Sequence, residues 1–201
     1  MLDLRNFDWS RNKIRPRYYG GQILNCDFSD SISEKGFLVR GGVFEKCIFN
    51  NSTWWLSEFS NCKFIDCSFH NCRFFSCSLQ GKFYNCSFNN ISGKGEYFNF
   101  GWGSLYLNCI FKSVDLNNIG DIIGVKFENC KISGLISNGV LHGRRSALSK
   151  RFASLIDIFS RHYKPVKFIR CDLAELRIKN VVIENDVVFK KNKGFPQNTK
   201  G

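Results

Sequence analysis

Large apolar residues recur every five positions through the middle of the chain, at Phe44, Phe49, Trp54, Phe59, Phe64, Phe69, Phe74 and Leu79. Two positions before each, from Phe49 on, stands a small side chain: Cys47, Ser52, Ser57, Cys62, Cys67, Cys72 and Cys77. A period of five fits neither the 3.6 of an α-helix nor the 2 of a flat strand, so the chain must turn every five residues. A longer period lies over the shorter one. The tripeptides Cys26-Asp27-Phe28, Cys47-Ile48-Phe49, Cys67-Ser68-Phe69, Cys86-Ser87-Phe88, Cys109-Ile110-Phe111 and Cys130-Lys131-Ile132 begin 21, 20, 19, 23 and 21 residues apart. Four five-residue sides then make one coil. Coils stacked at the strand spacing of about 4.8 Å predict an all-β, quadrilateral parallel β-helix with Cys and Phe columns running up its inside.

Departures from the repeat are where a solenoid exposes loops. The coil from Cys86 to Cys109 is too long and predicts a bulge near Ser92–Tyr97. Its Gly-Lys-Gly lacks the spacing of a phosphate-binding loop. From Cys130 to Cys171 there are 41 residues, one coil and about twenty more. In the extra segment, "SALSKRFASLIDIFSRHY", Leu148, Phe152, Leu155, Ile156 and Phe159 recur at steps of three and four behind a candidate N-cap, Ser146, and predict an inserted amphipathic α-helix near the C-terminus. Arg144 and Arg145 precede that helix, where positive charge is unfavourable without an anion. With His142, Lys150 and Arg151 they form a candidate anion- or partner-binding site, the alternative being a solvated basic patch. Trp55, beside the inward Trp54, and Trp102, in the long coil, are candidate exposed anchors.

The repeat resembles the pentapeptide-repeat family, in which a central inward Leu or Phe follows, two positions on, a small inward Ala, Ser or Cys. The match covers residues 21–135 and returns in "KFIRCDLAELRIKNVVIENDVVF", where Phe168, Leu173, Ile178, Ile183 and Val188 keep the step of five. The family's Asp or Asn just before the central residue is missing at Lys63, Ser68, Arg73 and Ser78. The resemblance implies a right-handed quadrilateral β-helix and a non-catalytic binding role. Similar proteins include bacterial ones that protect DNA gyrase by resembling duplex DNA in shape and negative charge; others are effectors or occur beside toxin and defence genes.

Charge alters that picture. The chain carries +12, and residues 1–20, 140–165 and 190–201 account for it with +3, +5 and +4. A neutral body with basic appendages argues against mimicry of DNA. The chain divides into a basic N-terminal arm (1–17), β-helix coils (18–139), a basic helical insertion (140–165), a terminal coil (166–189) and a Lys-rich, disordered tail (190–201). Asp3, Arg5 and Asp8 interrupt any signal-peptide core, and no stretch is long enough to span a membrane, so a cytoplasmic bacterial protein is expected. Ten Cys in that compartment read as thiols, and a repeated C-x4-C is not zinc spacing, so they read as packing residues, with no metal and no cofactor. The three His stand in no nucleophile motif. The expected function is therefore binding and modulation or neutralisation of a partner protein, as an immunity, inhibitor or protection factor. Nucleic-acid binding through the basic arm, helix and tail is the alternative, and a secreted effector or scaffold another. Val182, Val187 and Phe189 in the terminal coil are candidate homodimer contacts, because an uncapped last coil exposes a pairing edge.

Overall fold

The computed structural model describes residues 1–11, 15–93, 97–143 and 164–199. Because the chain turns every five residues, each side is a short strand, and each strand pairs in parallel with its equivalent one coil away. About eight coils stack in this way. One coil shows the plan: Val43–Glu45 on the first side, Ile48 on the second, Thr53–Trp55 on the third, and then Glu58–Ile65, which runs along the fourth side and back onto the first.

The interior is two aromatic columns and two mixed ones. On the first side Phe44, Phe64, Phe83, Tyr106, Phe127, Phe168 and Phe189 stack nearly parallel, with centroids 4.6–5.1 Å apart. On the second side Phe28, Phe49, Phe69, Phe88 and Phe111 do the same at 4.5–5.2 Å. Both columns follow from in-register pairing, which sets each ring over its counterpart at the strand repeat. The third side buries Trp54, Phe74, Leu116, Ile136 and Ile178; the fourth buries Phe59, Leu79, Ile122 and Leu141. Burial of each large apolar side chain is worth about 1.5–3 kcal/mol, and this single contiguous core holds the coils together.

The corners are built on left-handed residues. Asn25, Lys46, Asp66, Asn85, Asn108, Asn129, Arg170 and Lys191, each between first and second sides, have φ of 52 to 56°. Asn and Asp tolerate this region better than other non-glycine residues. Their side chains also link the coils: the Asn85 amide donates to Asp66 (3.0 Å), Asn108 to Asn85 (3.2 Å) and Asn129 to Asn108 (3.1 Å). A second ladder joins Asp30, Asn51, Asn71 and Asn90 at the next corner. All ten cysteines are free and buried. Each lies just inside a corner, and eight of them donate the thiol to a carbonyl of the preceding coil, as Cys72 does to Phe49 (2.9 Å) and Cys77 to Trp54 (3.1 Å).

Four expectations are corrected. The solenoid with an inserted amphipathic α-helix becomes an all-β solenoid: no helix occurs among the described residues, and the segment read as that helix, 146–163, lies outside them. Steps of three and four record only where apolar residues fall, and a helix of that length draws most of its stability from packing. The solenoid closes without it. The Val166 N–H donates to the His142 carbonyl at 2.9 Å, so the ladder bridges the base of the insertion. Secondly, the N-terminal arm is wound in: Leu2–Asp3 pairs with Cys26–Asp27, and Trp9 is buried against Phe37 and Tyr18. Thirdly, the tail continues the coil, with Lys193 bridging Asp172 and Gln197–Asn198 pairing on Arg177–Ile178. Backbone hydrogen bonding outweighs the solubility of the basic side chains in both places. Finally, the terminal coil slips by one residue, so Phe189 occupies the interior column and Val188 pairs with the outward Lys167. The larger ring takes the buried position.

Candidate functional site

With the interior committed to packing, chemistry is confined to the outer faces. A wholly apolar cavity between Phe100, Phe127 and Ile136 holds about 20 Å³, room for a single water at most. Burial pushes the Cys72 thiol up to about 12 and Cys77 up to about 11, away from the reactive thiolate. Among the described residues no cluster of His, Cys, Asp or Glu is arranged to hold a metal.

Trp55 is the best-formed surface feature. It ends the strand Thr53–Trp55, is 40% exposed, and lies flat on Phe75 of the next coil, centroids 4.0 Å apart and 9° from parallel. The in-register pairing of Phe75 with Trp55 imposes that stack. Leu56 follows at the corner with φ of 47°, 55% exposed. A leucine gains nothing there from burial and carries the cost of the left-handed region, about 1–2 kcal/mol, without the hydrogen bonds an asparagine would make. Trp102 is also exposed, but stands at the corner between fourth and first sides, where Gln80 donates to its carbonyl at 3.1 Å. The structure does not bring the two tryptophans together.

His142 is turned inward at the end of the strand Lys131–Leu141. Its Nε2 lies 2.9 Å from Asp121 Oδ1 of the preceding coil, and its Nδ1 3.4 Å from Glu184 Oε1 of the following one. Glu184 also accepts the Gly143 N–H at 2.7 Å. Asp121 thus holds the imidazole through Nε2, whereas Nδ1 is buried without a hydrogen bond although Glu184 lies near, and a cavity of about 400 Å³ beside it is lined, among the described residues, by Gly143, Glu184, Asn185 and Asp186. Arg144, Arg145, Lys150 and Arg151, grouped with His142 on sequence grounds, lie outside the described residues.

The terminal-coil candidates separate. Val182 is 59% exposed on the fourth side, whereas Val187 and Phe189 are partly buried against the core. Phe195, overlooked in the sequence, lies 5.4 Å from Phe189 and is itself 66% exposed. Leu56 was overlooked too, although a signal for it exists. The residues before successive small inward positions are Asn51, Leu56, Asn61, Asp66, Asn71 and Ser76, and leucine is the exception.

No protein-family model matches the chain, and neither does any curated protein. Among solved structures the chain is similar to full-length QnrB1, a plasmid-mediated fluoroquinolone resistance protein, at 14% identity over 96% of this chain and 91% of that one, with a TM-score of 0.32. It is also similar to HetL, a pentapeptide-repeat protein involved in heterocyst differentiation regulation from the cyanobacterium Nostoc, at 7% identity over 96% and 86%, with a TM-score of 0.28. At such scores the likeness carries no argument, and the four-sided β-solenoid stands on the chain's own winding, five residues to a side and four sides to a coil.

Proposed function

We propose that this pentapeptide-repeat solenoid is a non-catalytic protein that binds a partner protein and modulates or neutralises it, as an immunity, inhibitor or protection factor does. The Trp55–Phe75–Leu56 patch carries the reading. Stacked aromatic rings exposed on a rigid sheet offer contact area at little entropic cost, the usual chemistry of a protein interface anchor. A leucine kept at a strained, exposed corner serves binding rather than folding. The test is quantitative affinity capture from bacterial extract with wild type and a Trp55→Ala/Leu56→Asn variant, which folds because asparagine suits that corner. A protein retained by wild type and lost by the variant supports the reading; identical retained sets overturn it.

A second contact, with another copy of the chain, is favoured by the last coil. Its strand Val188–Lys190 has one edge unpaired among the described residues, and Val182 and Phe195 stand exposed nearby. Light scattering at micromolar concentration should give a dimer that dissociates on Phe195→Ser. A monomer in the wild type overturns it. Nucleic-acid binding draws less support, since residues 1–11 and 190–199 wind into the ladder and Lys193 pairs with Asp172.

A further inference from the structure

The charge balance of the body conceals an ordered arrangement on one side. Outward residues of the first side align in register as Lys63, Lys82, Leu105, Lys126 and Lys167. Two positions along, and so on the same face, runs a second column: Ile65, Tyr84, Leu107, Glu128 and Ile169. At about 4.8 Å per coil the lysine column is about 19 Å long.

This arrangement works against folding. Lys63 pairs directly with Lys82 and Lys126 with Lys167, and like charges opposite each other in a sheet are destabilising. Lys126 is relieved by Glu128, which also holds Arg170, and Lys63 lies 5.4 Å from the Tyr84 ring centroid. Lys82 and Lys167 have no carboxylate partner among the described residues.

We propose that the first side is a docking surface for an acidic amphipathic helix of a partner protein. The carboxylates lie along the lysine column and the apolar stripe covers Ile65, Tyr84, Leu107 and Ile169. A helix turn of about 5.4 Å nearly matches the coil repeat, and about 13 helical residues span the column. A helix about 10 Å across covers both columns, which lie about 6.6 Å apart. The four apolar members of the second column decide between classes of polyanion, because a nucleic-acid backbone would press solvated phosphates against them and lose hydration without compensation. This proposal rests on the protein-binding reading and adds the face and the partner's chemistry.

The experiment is fluorescence anisotropy of a labelled helical peptide with one Glu stripe beside one Leu stripe, titrated with the full chain at low and near-physiological salt. A scrambled peptide of the same composition and a duplex oligonucleotide run alongside. Two variants are compared: Lys63/Lys82/Lys126/Lys167→Gln on the first side, and Lys112/Lys131→Gln on the second. Both change outward residues, and circular dichroism checks that each remains β-structured. The expected result is binding of the patterned peptide, weakened about tenfold or more by the four-lysine variant only, with weaker binding of the scrambled peptide. Absence of peptide binding, equal binding of the scrambled peptide or equal loss in both variants overturns the proposal. So does tighter, lysine-dependent binding of the duplex, which would make the face a nucleic-acid surface. If the peptide fails while capture through Trp55 succeeds, the protein-binding reading stands and this face is excluded.

Discussion

From the interior residue of the first side to that of the second the chain always takes five steps: Phe44 to Phe49, Phe64 to Phe69, Phe83 to Phe88, Tyr106 to Phe111, Phe127 to Ile132 and Phe168 to Leu173. The rest of the coil is variable. Leu79 to Phe83 takes four, with Gly81 so close to the Cys62 carbonyl that a Cβ would stand 2.2 Å from its oxygen. Leu116 to Ile122 takes six, and both long departures, around 94–96 and at 144–163, fall on either flank of the fourth side. The constant half holds two aromatic columns, an asparagine ladder and a file of buried thiols, each needing its counterpart at one height. The variable half is packed by aliphatic residues and by aromatic rings that form no continuous parallel column, which tolerate displacement. Register is thus enforced on one edge of the rod, and the opposite edge is free to vary.

The strongest test inserts one alanine between Asp66 and Cys67. Every side chain of that strand would change faces, and cooperative urea unfolding should be lost. The same insertion within 94–96 should shift stability by under about 0.6 kcal/mol, the cost of a modestly longer loop. Comparable losses would break the contrast. Phe88→Ala, in the constant half, should cost about 3–5 kcal/mol in equilibrium unfolding.

The thiols extend the test, since Cys72 and Cys77 belong to variable corners yet are fully sealed. Burial raises both, Cys72 to about 12. The unfolded chain therefore ionises first as pH rises. Their contribution is complete below the unfolded value near 9 and is lost between there and about 12 for Cys72 and about 11 for Cys77, by about 1.4 kcal/mol per pH unit for each thiol. A urea midpoint flat across that range would contradict the sealing. Asn108→Ala should cost about 1–2 kcal/mol through the ladder bonds and the left-handed corner, and Asn108→Gly less, because glycine is at ease there. Opposite in sign, Leu56→Asn should stabilise by about 0.5–1 kcal/mol in the same assay.

How much could be read in advance depended on the kind of signal. Phe64, Phe69 and Phe83 announced their columns because the turn of the coil writes itself into spacing. Trp55 was legible as outward because Trp54 holds the interior slot. Its partner Phe75 was not, since a contact between coils depends on register, not adjacency. The basic cluster at His142 was grouped by proximity in sequence, whereas the structure sets that imidazole between Asp121 and Glu184, each from a different coil. The lysine column escaped for the same reason, its members being separated by whole coils.

The sequence by itself determined the winding of this protein, its aromatic interior and the thiol state of its cysteines, because a five-residue period is a local property that each side repeats. Only the tertiary structure decided which outward residues share a face, that both termini join the ladder, and that Phe189 displaces Val188 from the core. Those outcomes depend on the height at which each coil meets the next, and hydrogen bonding between coils sets that height across gaps of about twenty residues.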